Sequence, residues 1–160
     1  MEIRQVVTSK ELTQVSQLFC QYFNWLADEH GINIGYQGVK AELANLPGNY
    51  AAPKGRLLLL YDGEEAAGCG AFRPIDEKVC ELKRMYVKPE FRGKGLGKAI
   101  AVRLLEEAHI SGYKIARLDT ATFLIEALAL YLSLGFEMIG PYYQVPEGVR
   151  KLTIFMEKRL

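Results

Sequence analysis

The chain has 160 residues, a formal net charge of +1, 49% hydrophobic and 24% charged residues. That length suits one domain with one core, residues 1–160, and the composition excludes a disordered or fibrous protein. The near-zero charge supplies no broad basic field for nucleic acid or an anionic membrane, so any anion site has to be local.

The start, Met1-Glu2-Ile3-Arg4-Gln5, lacks the basic and apolar regions of a signal peptide, and the aliphatic run Leu57 to Leu60 is too short to span a bilayer. Both point to a cytoplasmic chain. Ile3 to Val7 reads as a strand, and Thr8-Ser9-Lys10-Glu11 is a capping box that predicts a helix to about Ala27, with Leu12, Val15, Leu18, Phe19, Tyr22, Phe23 and Leu26 on its apolar face. An irregular stretch from His30 to Gly38 leads to a short helix over Gln37 to Leu46, which Pro47-Gly48 ends. Arg56 to Tyr61 and Glu65 to Arg73 flank the turn signal Asp62-Gly63 and predict a hairpin. Val79 to Val87 is a further strand, on which period-two alternation puts Glu81, Lys83, Met85 and Val87 on one face and Leu82, Arg84 and Tyr86 on the other. A helix follows from Gly97 to a stop at Gly112, then a strand at Ile115 to Asp119 and a helix at Ile125 to Leu134. Strands at Phe136 to Ile139 and Leu152 to Glu157 enclose a polar, aromatic loop, Gly140 to Gly148. With no internal repeat, this order predicts an α/β fold: a mixed, largely antiparallel central sheet flanked by helices.

Between the strand ending at Val87 and the next helix lie Gly93, Gly95 and Gly97, beside Arg92, Lys94 and Lys98. Free N–H groups at a helix start, a positive macrodipole end and absent side chains make such a loop an anion site. The spacing lacks the G-x-x-x-x-G-K-[ST] of a triphosphate loop and the G-x-G-x-x-G of a dinucleotide site, which disfavours nucleotide hydrolysis and nicotinamide cofactors. It fits R-x-x-G-x-G, carried by Arg92, Gly95 and Gly97.

With Glu-Leu-Lys-Arg-Met-Tyr-Val before that motif and Ala-Leu-Ala-Leu-Tyr-Leu-Ser-Leu-Gly-Phe, Ala127 to Phe136, after it, the chain resembles the GCN5-related N-acetyltransferase family. The resemblance is sharp from Val79 to Ile139 and weak in sequence before Arg56. It implies a sheet whose strands splay around acetyl-coenzyme A. Backbone groups at Met85, Tyr86 and Val87 would meet the pantetheine arm, and Arg92, Gly93, Lys94, Gly95, Leu96, Gly97 and Lys98 the phosphates. It also implies a direct transfer of acetyl to a primary amine, with a small molecule favoured as acceptor by the neutral charge. A non-catalytic acyl-CoA sensor and a loop that binds stray anions are the competing readings, and neither needs the residues considered next.

Acetyl transfer to an amine asks for a deprotonated nucleophile, a donor to the developing oxyanion and a proton for the leaving thiolate. By resemblance, Glu81 is the candidate base, the Val87 N–H the oxyanion donor and Tyr131 the acid. The plainer alternatives are a Glu81 paired with Lys83 or Arg84, or solvated, and a Tyr131 packed in the core with Leu128 and Leu132. Many family members have an asparagine where this chain has Leu124, leaving that role unfilled or to Asp119 or Thr120.

Tyr36, Tyr142 and Tyr143 are candidate walls of the acceptor groove, against a simple packing role. His30 and His109 read as surface or loop histidines, and Trp25 as core or pocket wall. Cys20, Cys69 and Cys80 form neither a disulfide framework nor a zinc site and read as small core residues, so no metal is expected. Homodimerisation is common among small enzymes, but no residue demonstrates it.

Overall fold

Thr8 and Glu11 form the reciprocal cap that their spacing predicts: the Glu11 N–H donates to Thr8 Oγ1 at 3.2 Å, and the Thr8 N–H donates to Glu11 Oε2 at 2.9 Å. From that cap α1 (Ser9–His30) runs past Ala27, because nothing breaks it before Gly31, whose φ of 64° stops it in the left-handed region. The computed structural model describes all 160 residues. The expected second helix is a 3₁₀ turn, Gly35–Gln37, followed by a short α2 (Val39–Ala44). Later helices are α3 (Leu96–Ile110), α4 (Ile125–Ser133) and a one-turn α5 (Glu147–Arg150) that starts at the end of the polar, aromatic loop.

Seven strands form one sheet: β1 (Glu2–Gln5), β2 (Arg56–Asp62), β3 (Glu65–Pro74), β4 (Val79–Val87), β5 (Ile115–Ala121), β6 (Glu137–Ile139) and β7 (Thr153–Arg159). Their order is β1-β2-β3-β4-β5-β7-β6, and only β4 and β5 pair in parallel. The mixed, largely antiparallel sheet expected from the sequence is the one observed. Both of its faces are covered, which explains the unbroken run Leu57 to Leu60. Leu58 and Leu60 join a core with Phe72, Ile100 and Leu104, while Leu57 and Leu59 join another with Val15, Leu18 and Phe19. Gly68 and Gly70 let α3 come close to β3, since a Cβ at Gly70 would lie 2.6 Å from Ile100 Cγ2. No helix is long and apolar enough to cross a membrane.

Two irregularities of β4 create the site. Cys69 pairs with Tyr86 and Ala71 with Lys83, so Arg84 and Met85 together stand opposite Gly70. This is a β-bulge, and Arg84, at φ 57°, is the only non-glycine residue with positive φ. The extra residue resets the alternation and corrects the facing read from sequence. Met85 and Val87 pack with Leu82 on the α3 side, and Tyr86 packs on the α1 side. Glu81 therefore does not share a face with Met85 and Val87. The second irregularity is that β4 and β5 pair only at Val79–Ile115, Cys80–Ala116 and Glu81–Arg117. Beyond Glu81 the strands part, as a splayed sheet requires.

Candidate active site

A cavity of about 580 Å³ fills the gap between the parted strands. Its lining runs from Arg92, Gly93, Gly95, Leu96 and Gly97 along Val87, Tyr86 and Met85 to Arg84 and Lys83, with Asp119 and Thr120 of β5 and Tyr131 of α4 opposite.

At one end stands the glycine loop. Gly93 and Gly95 have φ of 79° and 74°, which side chains with a Cβ adopt only under strain, and a Cβ at either would meet no atom within 4 Å. The glycines are thus required by backbone shape and leave open space in front of the loop. No side chain caps the N-terminus of α3, so its first-turn N–H groups are free for an anion.

The basic residues around the loop mostly turn elsewhere. Lys94 pairs with Asp62 at 3.1 Å, Lys98 is exposed, and neither lines the cavity. Arg92 folds back, its Nε donating to the Val87 carbonyl at 3.0 Å, with its guanidinium 4.7 Å from the Trp25 ring centre and 5.8 Å from that of Tyr86. The anion cradle is chiefly backbone.

The outer end of β4 offers main-chain groups to the gap. The Lys88 N–H donates to the Ala67 carbonyl at 2.9 Å, and an antiparallel ladder alternates its bonding direction at each residue. The Val87 N–H therefore points away from β3, towards the cavity, where a strand-like ligand arm can pair with it.

Farther along, Tyr131 reaches across from α4, its hydroxyl 3.6 Å from the Met85 sulfur and its ring edge-on to Phe136 with centroids 5.8 Å apart. Burial pushes its hydroxyl above the ordinary tyrosine range, and the charges of Tyr22 and Asp119 push the same way. It is a core residue that also lines the cavity. Leu124 lines the cavity as the N-cap of α4 and makes no capping bond through its side chain.

Beyond Met85 lies a network of charges. Lys83 Nζ meets Asp119 Oδ1 at 3.1 Å, Gln37 Oε1 at 3.3 Å and Glu81 Oε1 at 3.4 Å. The bulge aims Arg84 beside it, where the guanidinium holds Glu42 at 2.8 Å and Gln37 Oε1 at 2.7 Å. Glu81 is 3% exposed and does not line the cavity. One of its oxygens accepts from Arg73 at 3.1 Å, and the other accepts from the Tyr142 hydroxyl at 3.1 Å and faces Lys83. The paired alternative weighed for Glu81 is thus realised with Lys83, not with Arg84.

Of the three tyrosines expected to wall the acceptor groove, Tyr36 lines the cavity, with its hydroxyl 3.3 Å from Gln37 Nε2. Tyr142 and Tyr143 stand behind the wall, each 5.1 Å from the Phe155 ring. Burial, and then the nearby Asp119 charge, push up the Tyr143 hydroxyl, which is shielded from solvent without a hydrogen bond of good geometry.

Sequence reading missed Lys83, Arg84, Gln37 and Asp119 as one group, because they come from three separate parts of the chain. It also missed an aromatic patch on the cavity: His30 stacks on Phe123 at 4.2 Å and meets Trp25 edge-on at 4.9 Å. His30 is a cavity residue rather than a simple surface histidine. Cys20 is exposed, contrary to its reading as a core residue, whereas Cys69 and Cys80 are buried.

The model of the acetyltransferase (GNAT) family matches residues 13–136. An uncharacterised N-acetyltransferase of Schizosaccharomyces pombe is 34% identical over 148 residues, covering 91% of this chain and 88% of that protein. In fold, the chain is similar to an acetyltransferase of Streptococcus agalactiae (TM-score 0.78, 22% identity, 99% and 98% of the two chains covered). It is also similar to yncA of Salmonella typhimurium, whose structure holds its cofactor acetyl-CoA (TM-score 0.69, 21% identity, 99% and 93% covered). A match across that much of the sequence, carried by the glycine loop and the splayed strands that the structure brings together, means that the chain belongs to the acetyltransferase (GNAT) family.

Proposed function

We propose that this chain transfers acetyl from acetyl-CoA directly to a primary amine of a small molecule. The family makes it an acetyl-CoA-dependent N-acetyltransferase. The direct route and the acceptor class are what this reading adds. The observation that carries it is one continuous path: an uncapped glycine loop, the cavity-facing edge of β4, and the Tyr131 hydroxyl at the far side of Met85.

The residues present fit the coenzyme. Free N–H groups at Gly93 to Gly97 suit its phosphates, and the Val87 and Met85 backbone suits an amide-bearing arm. When bound, acetyl-CoA supplies the activated acyl group. With it bound, the Val87 N–H would donate to the acyl oxygen as that oxygen gains negative charge, and Tyr131, which keeps its proton at neutral pH, would give it to the departing thiolate and recover one from the acylated nitrogen. Glu81 touches the cavity only through Lys83, so its part in the reaction is to hold that network in place.

Direct transfer is favoured because no cysteine lines the cavity. A small acceptor is favoured because the charged end of the cavity is walled by buried residues such as Lys83 and Arg84. Three free cysteines suit a reducing cytoplasm, in line with the localisation expected from sequence.

Thiol release from acetyl-CoA, measured against a panel of primary amines, tests the reading. Saturable turnover on at least one small amine is expected. Tight acetyl-CoA binding without turnover on any amine would instead make the chain a sensor, and turnover only on protein lysines would overturn the acceptor class.

A further inference from the structure

We propose that Asp119 is the residue that receives the acceptor's ammonium group, which makes amines that are cationic at neutral pH the accepted class. This rests on the transferase reading above. Three carboxylates stand in the charge network at the inner end of the cavity, and the structure separates them: Glu42 has both oxygens on Arg84 and lies outside the lining. Glu81 has both oxygens engaged by protein groups and lies outside the lining. Asp119 lines the cavity, accepts from Lys83 through Oδ1, and has the buried Tyr143 hydroxyl beside its carboxylate without a hydrogen bond of good geometry.

Its position suits the chemistry. Asp119 follows the last paired residue of the splay, Arg117, on the same face of β5, and projects where the strands have begun to part. Asp119 and Tyr131 line the same cavity, so an amine held by Asp119 faces the space that also holds the group that protonates the thiolate. Lys83 tempers the attraction. A lone buried carboxylate would stabilise the ammonium so strongly that its proton would be hard to lose. One that shares its charge with Lys83, 3.1 Å away, draws the cation in and still lets it pass its proton to solvent water before attack. Gln37 and Tyr36 border the same end with neutral polar groups, which admit the rest of a small polar amine.

The two members of the pair make opposite predictions. Asp119→Asn raises KM for the accepted amine at least about tenfold, the usual worth of a hydrogen bond to a charged group, and leaves acetyl-CoA affinity by calorimetry within about twofold. Lys83→Met lowers KM for the same amine and lowers kcat, because the unshared carboxylate holds the ammonium too well. A purely structural ion pair would instead make both variants fail alike. An unchanged KM in Asp119→Asn, or a raised KM in Lys83→Met, overturns the assignment while parent turnover stands. Absence of amine turnover in the parent overturns the proposed function and this inference with it. If Asp119→Asn does not fold, Lys83→Met decides alone: a lowered KM supports the site and any other result overturns it.

Discussion

The Tyr131 hydroxyl of α4 lies 3.6 Å from the Met85 sulfur of β4, so one contact joins the helix beyond the cleft to the strand that lines it. An O–H directed at a thioether is a weakly engaged proton, free to move to a better acceptor. Tyr131→Phe keeps the ring against Phe136 and loses only that proton. We expect kcat to fall by about two orders of magnitude, the usual worth of a positioned acid, with acetyl-CoA affinity within about twofold of the parent. Parent-like kcat on every accepted amine would remove Tyr131 from the chemistry.

The pH profile tests the same group independently. Burial first, and then the charges of Tyr22 and Asp119, raise the Tyr131 pKa above 10.0, so the hydroxyl stays protonated to higher pH than a free tyrosine. As pH rises the amine loses its proton and kcat climbs, and no falling limb belonging to Tyr131 appears below pH 10.0. A falling limb centred below that value, and missing from Tyr131→Phe, would contradict the raised pKa.

Gly95 is strained for any other residue by its φ of 74°, whereas no atom within 4 Å would obstruct a Cβ. The penalty is therefore conformational, about 1–2 kcal/mol for a residue forced into the left-handed region. Gly95→Ala should weaken acetyl-CoA binding by roughly tenfold, while Gly95→Asn, which tolerates that region, weakens it less. Titration calorimetry orders the three proteins, and equal losses for alanine and asparagine would point to lost space instead.

Gly70 is obligatory for the opposite reason. A Cβ there would sit 2.6 Å from Ile100 Cγ2 and 3.0 Å from Leu104 Cδ1, pushing α3 off the sheet opposite the bulge. Gly70→Ala should cost about 1–3 kcal/mol in urea unfolding, the range for overpacking a filled core. Since α3 carries the anion loop at its N-terminus, acetyl-CoA binding should weaken as well.

Arg84 keeps Glu42 paired from the bulge, at 2.8 Å through Nε, and shares Gln37 with Lys83. Arg84→Met leaves the Glu42 carboxylate, 13% exposed, without its cation, at a cost of about 3–5 kcal/mol. Denaturant unfolding measures that loss, and a cost under about 1 kcal/mol would mean that solvent reaches the pair.

Features that depend on near neighbours in the chain are legible in the sequence alone. The Thr8–Glu11 cap, the helix stop at Gly112 after an apolar stripe, and the Asp62-Gly63 turn are each set by residues a few positions apart. The glycine loop belongs to the same class, because a required positive φ and a free helix end are local properties. The splay of the sheet is legible only through the family resemblance, and the strand order comes from the tertiary structure.

Alternation gives the wrong facing for the outer part of β4 because it holds only for an unbroken strand. A bulge depends on which β3 residue lies opposite, and here Gly70 stands against both Arg84 and Met85. The direction of Arg92 is equally hidden, since it is fixed by the ring of Trp25, far away in the chain.

By itself, the sequence determined the periodicities, the caps, and a phosphate-sized cradle of glycines, because hydrogen bonding within a turn and backbone sterics act over a few residues. Only the tertiary structure decided which carboxylate meets the cavity. Glu81 and Asp119 look alike as acidic residues on strands, but β4 and β5 still pair at Glu81 and have parted at Asp119. Where two strands separate is fixed by register and by packing from both faces, and that sum of distant contacts leaves no mark at either residue.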